Sequence, residues 1–275
     1  MKYPVFLALA LLAMVQPAKA QGLDLSMALG DTPLEIDSAG GIEWNQEKRT
    51  VAADGHVVIR FGAYTLAAER VQGSYAEVDG KPQAQQLRAD GLVRFTGVDQ
   101  TGAANAALFD IATKELQLLG SPATVRSIEQ TLSAPELRYN IENRQIKALG
   151  GASLSGAQGT LTATSITALL EKSSQSKKAA SADKMALKSA TALGDVRLQT
   201  ATESLTGDSG QYDAKSGIAV VTGHVRLERA GSFLLGSRAE VNMQTGQSRL
   251  VQSGGDGRVR GQIIPQTLRK AETDR

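Results

Sequence analysis

Residues 55–73, GHVVIRFGAYTLAAERVQG, contain a pattern that returns five more times along the chain and indicates a repeat architecture. It contains a four-position skeleton: Leu66, a small residue at Ala68, Val71 after a step of three, and Gly73. A small residue, here Gly55, stands eleven positions before the skeleton. The six copies are Leu66-Ala68-Val71-Gly73, Gly102-Ala104-Ala107-Phe109, Leu132-Ala134-Leu137-Tyr139, Leu161-Ala163-Ile166-Ala168, Leu205-Gly207-Gly210-Tyr212 and Leu234-Gly236-Ala239-Val241. The preceding small residues are Gly55, Gly91, Ser121, Gly150, Gly194 and Gly223.

Both features recur with one series of spacings, which are 36, 30, 29, 44 and 29 residues. Self-similarity of this kind indicates units that bury their apolar faces only by stacking on their neighbours. The sequence therefore predicts a stack of similar elements rather than a globule built around one central pocket.

Alternation of apolar and polar residues predicts that the elements are strands. Apolar or small residues fall two and four positions after each small residue, as at Val57 and Ile59, and this is typical of half-buried strands. We expect one strand to end before each small residue and another to follow it. The three-residue step in the skeleton predicts a bend or bulge there. With 28 glycines and few helical signals, the chain is expected to be an all-β sandwich, roll or solenoid.

The first 20 residues have the features of a secretory signal peptide: a basic start at Lys2, an apolar run over 5–15 and small residues before Gln21. We expect cleavage before Gln21 and export to the periplasm. Without these residues, acidic and basic side chains are equal in number, which argues against nucleic acid as a partner. The chain has no cysteine, so disulfides and thiol chemistry are excluded.

Composition divides the remainder of the chain. Residues 171–189 are rich in Lys, Ser and Ala, and we interpret them as an insertion loop that accounts for the long 44-residue interval. Residues 21–170 then hold the N-terminal units, and residues 190–264 continue the stack. Residues 265–275 are expected to form a flexible tail.

Residues that commonly carry catalysis are scarce. The two histidines, His56 and His224, each follow a repeat glycine, so the repeat explains their positions better than a catalytic or metal role. Gly207-Asp208-Ser209-Gly210 matches four letters of a serine-protease loop but coincides with the repeat skeleton. We expect no enzymatic activity, no metal and no cofactor.

Three segments make the chain resemble the LptA/OstA family. Residues 33–38 (PLEIDS), 55–59 (GHVVI) and 66–71 (LAAERV) are similar to its opening motifs, and residues 120–125, 132–139 and 146–154 are similar to its second half. The resemblance covers most of residues 33–253. Ala39 departs from the family, which often has an acid there, and the chain is longer than compact members.

The resemblance implies a stacked β-jellyroll, open at both ends, that carries the lipid A acyl chains of lipopolysaccharide across the periplasm. It also implies an LptC-like partner at the inner membrane, an LptD-like partner at the outer membrane, and head-to-tail self-association by strand pairing. Small interior side chains leave room for acyl chains. Burial of each acyl-chain methylene is favourable by about 0.8 kcal/mol. The residues expected to bind lipid are Leu34, Ile36, Val57, Ile59, Leu66, Val71, Val93, Phe95, Val125, Leu137, Tyr139, Ile146 and Leu154.

Other function classes remain open at this point. A structural β-solenoid or adhesin would have the same repeats and no lipid. An LptC-like anchored protein would keep residues 1–20. An exported hydrolase is disfavoured by the scarcity of histidine and the lack of cysteine.

Overall fold

A computed structural model describes residues 35–264 except 62, 79–80, 98–99, 129, 158, 173–184, 243–244, 246 and 253–257. The predicted signal peptide, Leu34, most of the predicted insertion loop and the predicted tail lie outside the described residues. The strands are β1 (Glu35–Asp37), β2 (Ile42–Asn45), β3 (Thr50–Phe61), β4 (Tyr64–Val78), β5 (Lys81–Thr96), β6 (Gln100–Asp110), β7 (Glu115–Ser127), β8 (Gln130–Asn140), β9 (Gln145–Gly156), β10 (Gly159–Lys172), β11 (Met185–Gln199), β12 (Glu203–Asp213), β13 (Ile218–Arg229), β14 (Ser232–Asn242), β15 (Gln247–Val251) and β16 (Arg260–Gln262).

The sixteen described strands belong to one antiparallel sheet, in which each strand from β3 to β14 pairs with the next along the chain, and β16 pairs with β14. The sheet does not close on itself. The structure thus confirms an all-β fold of stacked units that is open at both ends. Each sequence repeat is one strand pair: β3–β4, β5–β6, β7–β8, β9–β10, β11–β12 and β13–β14.

The repeat glycines lie inside strands, and the expectation that a strand ends before each of them was wrong. Gly55, for example, is in the middle of β3. It has φ +76, and His56 after it has φ 51, so two consecutive left-handed residues bend the strand without ending it. A side chain at Gly55 would place its Cβ 2.9 Å from the Gly40 backbone nitrogen. In β7 the bend is made by Ser121 and Pro122, which are joined by a cis peptide bond.

The partner strand of each unit bends opposite the glycine, as the three-residue step predicts. The register between β3 and β4 shifts between Asp54 and Val57, whose partners on β4 are Arg70 and Ala68. Equivalent shifts occur along the stack, for example between Asp90 and Val93 in the β5–β6 pairing. The bends divide the sheet into two walls. The first wall holds the residues before the bend in β3, β5 and the other odd-numbered strands, and the second wall holds those after it.

The two walls face each other across the buried residues. Near the bend, both walls present small side chains such as Ala53, Ala89, Ala123 and Ala134, which are at most 3% exposed. Small residues let the backbones of the walls approach closely there. Farther from the bend, the second wall presents larger side chains such as Ile59, and the first presents rings such as Tyr139.

Five of the hairpins share a motif that our sequence analysis missed. An aromatic or apolar residue is followed by Asn or Asp, whose side chain accepts a hydrogen bond from the amide three residues on, as for Asp110 and Thr113 at 2.9 Å. This side-chain turn also lowers the pKa of Asp110. Its other members are Asn45, Asn140, Asp213 and Asn242.

The strands extend into the predicted insertion from both sides. Residues 171–172 end β10 and residues 185–189 begin β11, and the two strands pair from Lys172 with Met185 onward. Met185 and Leu187 are buried. These residues therefore continue the sheet, and any insertion loop contains fewer residues than the predicted range 171–189.

Candidate functional site

An apolar cavity of about 230 Å³ lies between the two walls in the first three units. It extends from β3 to β7 and receives side chains from both walls, for example Phe95 from the second and Phe109 from the first. The full lining is Ile59, Leu66, Gly73, Ser74, Ala84, Gln86, Leu87, Ala89, Val93, Phe95, Gly102, Ala103, Ala104, Ala107, Phe109, Ile111, Leu116, Leu118 and Val125.

Five of the predicted lipid-binding residues line this cavity. They are Ile59, Leu66, Val93, Phe95 and Val125. Phe95 is further held by Tyr64, whose ring stacks on it with 5.7 Å between the centroids and 19° between the planes. These five side chains therefore share one apolar surface, although their role in binding lipid stays a prediction.

The remaining predicted residues lie elsewhere. Four are buried core residues outside the lining: Val57, Val71, Leu137 and Tyr139. Ile146 and Leu154 are half-buried against the same core. Ile36 is 36% exposed on the edge strand β1, and Leu34 lies outside the described residues.

Sequence reasoning missed most of the first wall. Leu87, Phe109, Leu116 and Leu118 line the cavity from that side, yet our prediction favoured residues that follow the repeat glycines. The signal was present, because Leu87 and Ala89 alternate before Gly91 just as Val93 and Phe95 alternate after it. Recognising the glycine as a mid-strand bend would have placed both pairs on facing walls.

Apolar side chains and glycines make up almost all of the lining. Ser74 and Gln86 are its only polar side chains, and none of its residues is ionisable. The lining is thus suited to holding hydrocarbon. An apolar cavity of about 150 Å³ is already large enough for a benzene-sized ligand.

Most charged side chains of the described residues lie on the outer faces, and several pair locally. Arg88 Nε donates to Asp90 Oδ2 at 2.7 Å, and this hydrogen bond raises the pKa of Arg88. Arg138 donates to Glu136, and that bond lowers the pKa of Glu136. Such exposed pairs contribute little to stability, about 0–1 kcal/mol each.

The histidines lie at two bends on the outer face. His224 has a 92% exposed side chain, and its Nδ1 is 2.8 Å from Asp208 Oδ2. The neighbouring Ser209 Oγ is hydrogen-bonded to Thr222 Oγ1 at 2.7 Å rather than to the histidine. The Asp208–His224–Ser209 set therefore lacks the relay of a serine hydrolase. Within the described ranges, no three acidic or histidine side chains come together as metal ligands would.

Helices that could span a membrane are absent from the described part of the chain.

Comparison with known proteins finds a family that matches the N-terminal part of the described sheet. Residues 35–145 match the family described as "LptA/(LptD N-terminal domain) LPS transport protein". The match confirms the resemblance over these residues, which include the whole cavity lining, and does not separate LptA from the N-terminal domain of LptD. The matched family is a transport family rather than an enzyme family.

Solved structures also align with the chain, and one of them aligns over most of its length. It is LptH from Pseudomonas aeruginosa, described as the LptA-homologous periplasmic component of the lipopolysaccharide transport device. The match has 10% sequence identity, covers 85% of this chain and 96% of that chain, and has a TM-score of 0.21. No curated protein matches the chain.

Proposed function

We propose that this protein is a periplasmic carrier of lipopolysaccharide that holds lipid A acyl chains in the cavity between its walls. The observation that carries the proposal is the cavity itself, whose lining has no ionisable residue and lies within the residues that match the transport family. Burial of hydrocarbon is favourable by about 0.8 kcal/mol per methylene, so binding needs no charged or catalytic group.

Site-specific photo-crosslinking tests this proposal. A photoreactive residue at Phe95 or Val125, which line the cavity, should capture lipopolysaccharide in the native periplasm. The matched control is Arg94, whose exposed side chain points away from Phe95 on the same strand. Equal capture from Phe95 and Arg94, or no capture from either, would overturn the proposal and favour a structural β-solenoid without a lipid ligand.

We further propose that the two ends of the stack bind partners by strand addition. At one end, β1 and β2 pair with the two halves of β3. At the other, β16 and β15 pair with the two halves of β14. Each end of the described sheet is thus formed by two short edge strands, and we expect an LptC-like protein, an LptD-like protein or a second copy to add a strand there.

Proline substitution tests strand addition. Proline removes a backbone donor and is poorly tolerated within a ladder. We expect light scattering to show oligomers that grow with concentration, and Glu35→Pro in β1 or Val251→Pro in β15 should shorten them. A strictly monomeric wild-type protein without crosslinks to either partner would instead support a soluble shuttle. Intact-mass measurement of the exported protein, expected to begin at Gln21, separates the carrier from an anchored LptC-like protein.

A further inference from the structure

The cavity coincides with two glycines at places where other repeats have large side chains. Gly102 occupies the first skeleton position, which is leucine in the five other copies. Gly73 occupies the fourth position, which is Phe109, Tyr139 or Tyr212 in three others. Both glycines line the cavity, Gly73 from the first wall and Gly102 from the second.

The local contacts show that Gly73 borders open space. A Cβ built on Gly73 would have no heavy atom nearer than 3.9 Å. The contrast is Gly207 in β12, where a Cβ would meet Val221 Cγ1 at 2.5 Å. Gly73 is therefore not required by close packing, and its backbone is not in the left-handed region that would demand glycine.

Gly102 opens the opposite wall between two large neighbours. It pairs with Phe95 on β5 and with Val125 on β7. Its Cβ would lie 3.7 Å from Phe95 Cβ and 3.9 Å from Val125 Cγ2, with the Thr124 carbonyl oxygen at 3.3 Å. The missing leucine side chain leaves a gap in the row formed by Phe95 and Val125, and the gap faces the cavity.

The equivalent positions in the C-terminal units are filled. Leu205, at the position of Gly102, is 1% exposed, and Tyr212, at the position of Gly73, is 7% exposed. Leu198, which pairs with Leu205, is also 1% exposed. These side chains occupy the interior that a ligand would need.

We propose, building on the proposed function, that Gly73 and Gly102 determine where the apolar ligand binds. One segment of an acyl chain is held between β3 and β7, and this acyl chain does not continue into the filled interior of β11–β14. The cavity volume of about 230 Å³ suits a segment of a single chain rather than a whole lipid A. The two glycines thus act as specificity-determining residues for a single hydrocarbon chain.

Cavity filling tests this inference with a fluorescent single-chain fatty acid as the probe. Gly73→Leu should weaken probe binding by about tenfold or more, because the leucine side chain takes the space of at least two methylene groups of the probe, which are then no longer buried. Gly73→Ala adds one methyl group and should weaken binding by about fourfold. Thermal unfolding should show both variants to be folded, since filling a void does not remove packing.

The matched control is Ala168→Leu, which introduces the same side chain at the same repeat position in β10. It should leave probe affinity within about twofold of wild type, because it lies outside the cavity lining. If folded Gly73→Leu binds as tightly as wild type, or if Ala168→Leu weakens binding equally, the assignment to the two glycines is wrong while the carrier function stands. If the wild-type protein binds neither the probe nor lipopolysaccharide, the proposed function itself fails.

Discussion

The first three units and the last two are built from one repeat, yet their interiors differ. The first three enclose the apolar cavity, lined in part by half-buried residues such as Leu66 and Leu116. In the last two, β11–β14 contribute six of the eight largest fully buried side chains among the described residues. The same backbone pattern therefore supports either a void or a filled core, and a few side chains decide which one forms.

Large-to-small substitution should separate the two regions most strongly. Leu205→Ala in β12 should lower the free energy of unfolding by about 3 kcal/mol, since it opens a cavity in a filled interior. Leu116→Ala in β7 should cost less than about 1.5 kcal/mol, because Leu116 is only half-buried and already borders a cavity. Urea unfolding followed by circular dichroism measures both. Equal costs would show that the first units are as tightly packed as the last.

A further feature of the C-terminal region is the ion pair between Glu203, at the start of β12, and Arg229, at the end of β13. Glu203 has a 1% exposed side chain, and Arg229 Nη1 lies 3.0 Å from its Oε1. Arg229→Met should destabilise the protein by about 2 kcal/mol, below the 3–5 kcal/mol typical of fully buried pairs, because Arg229 is itself partly exposed.

A double variant identifies the cause of that loss. Glu203→Leu combined with Arg229→Met should recover most of the stability, since the penalty comes from a buried carboxylate that has lost a cation. If the double variant is as unstable as the single one, packing of the Arg229 stem is responsible instead.

Repeat spacing and alternation were sufficient to predict the all-β stack and the bend inside each skeleton, because both follow from local periodicity. The role of Gly55 was harder to foresee, since glycine suits an interstrand turn and a mid-strand bend equally well. The cavity depends on how two walls distant in sequence face each other, which alternation in one strand does not reveal. Gly73 and Gly102 were visible as departures from the repeat, but only the facing walls show that the departures coincide in space.

The aspartate turns at Asp110 and Asp213 lie in different regions of the stack but should respond to pH in the same way. The difference between the regions is therefore expected in their interiors and not in their hairpins. Hydrogen bonds from Thr113 and Ser216 lower the pKa of Asp110 and Asp213, respectively. Because these folded-state pKa values are depressed, the stabilisation is present above the usual value of 3.8 and is lost as the pH falls through the lowered values.

Asparagine provides the matched control at both turns, since Asn45, Asn140 and Asn242 occupy the same position in other hairpins. Asp110→Asn and Asp213→Asn should fold normally and each remove part of the acid-induced loss of stability below about pH 4. Stability measured against pH tests this. A loss that is unchanged in both variants would assign the acid sensitivity to other carboxylates.

The smallest effect is expected at the two histidines, which mark equivalent bends in the first and last units. Both have left-handed backbones, with φ 51 at His56 and 44 at His224, and both side chains are exposed. His224 contacts Asp208, and an exposed pair of this kind contributes at most about 1 kcal/mol. His56→Ala and His224→Ala, separately and together, should therefore change the free energy of unfolding by no more than about 1 kcal/mol each. Lipopolysaccharide crosslinking from Phe95 should be unchanged, because the bend depends on the preceding glycine and the cavity faces the other side of the sheet. A folded double variant that no longer captures lipopolysaccharide would place a functional site on the outer face of the bends and would end the view that the two regions differ only in their interiors.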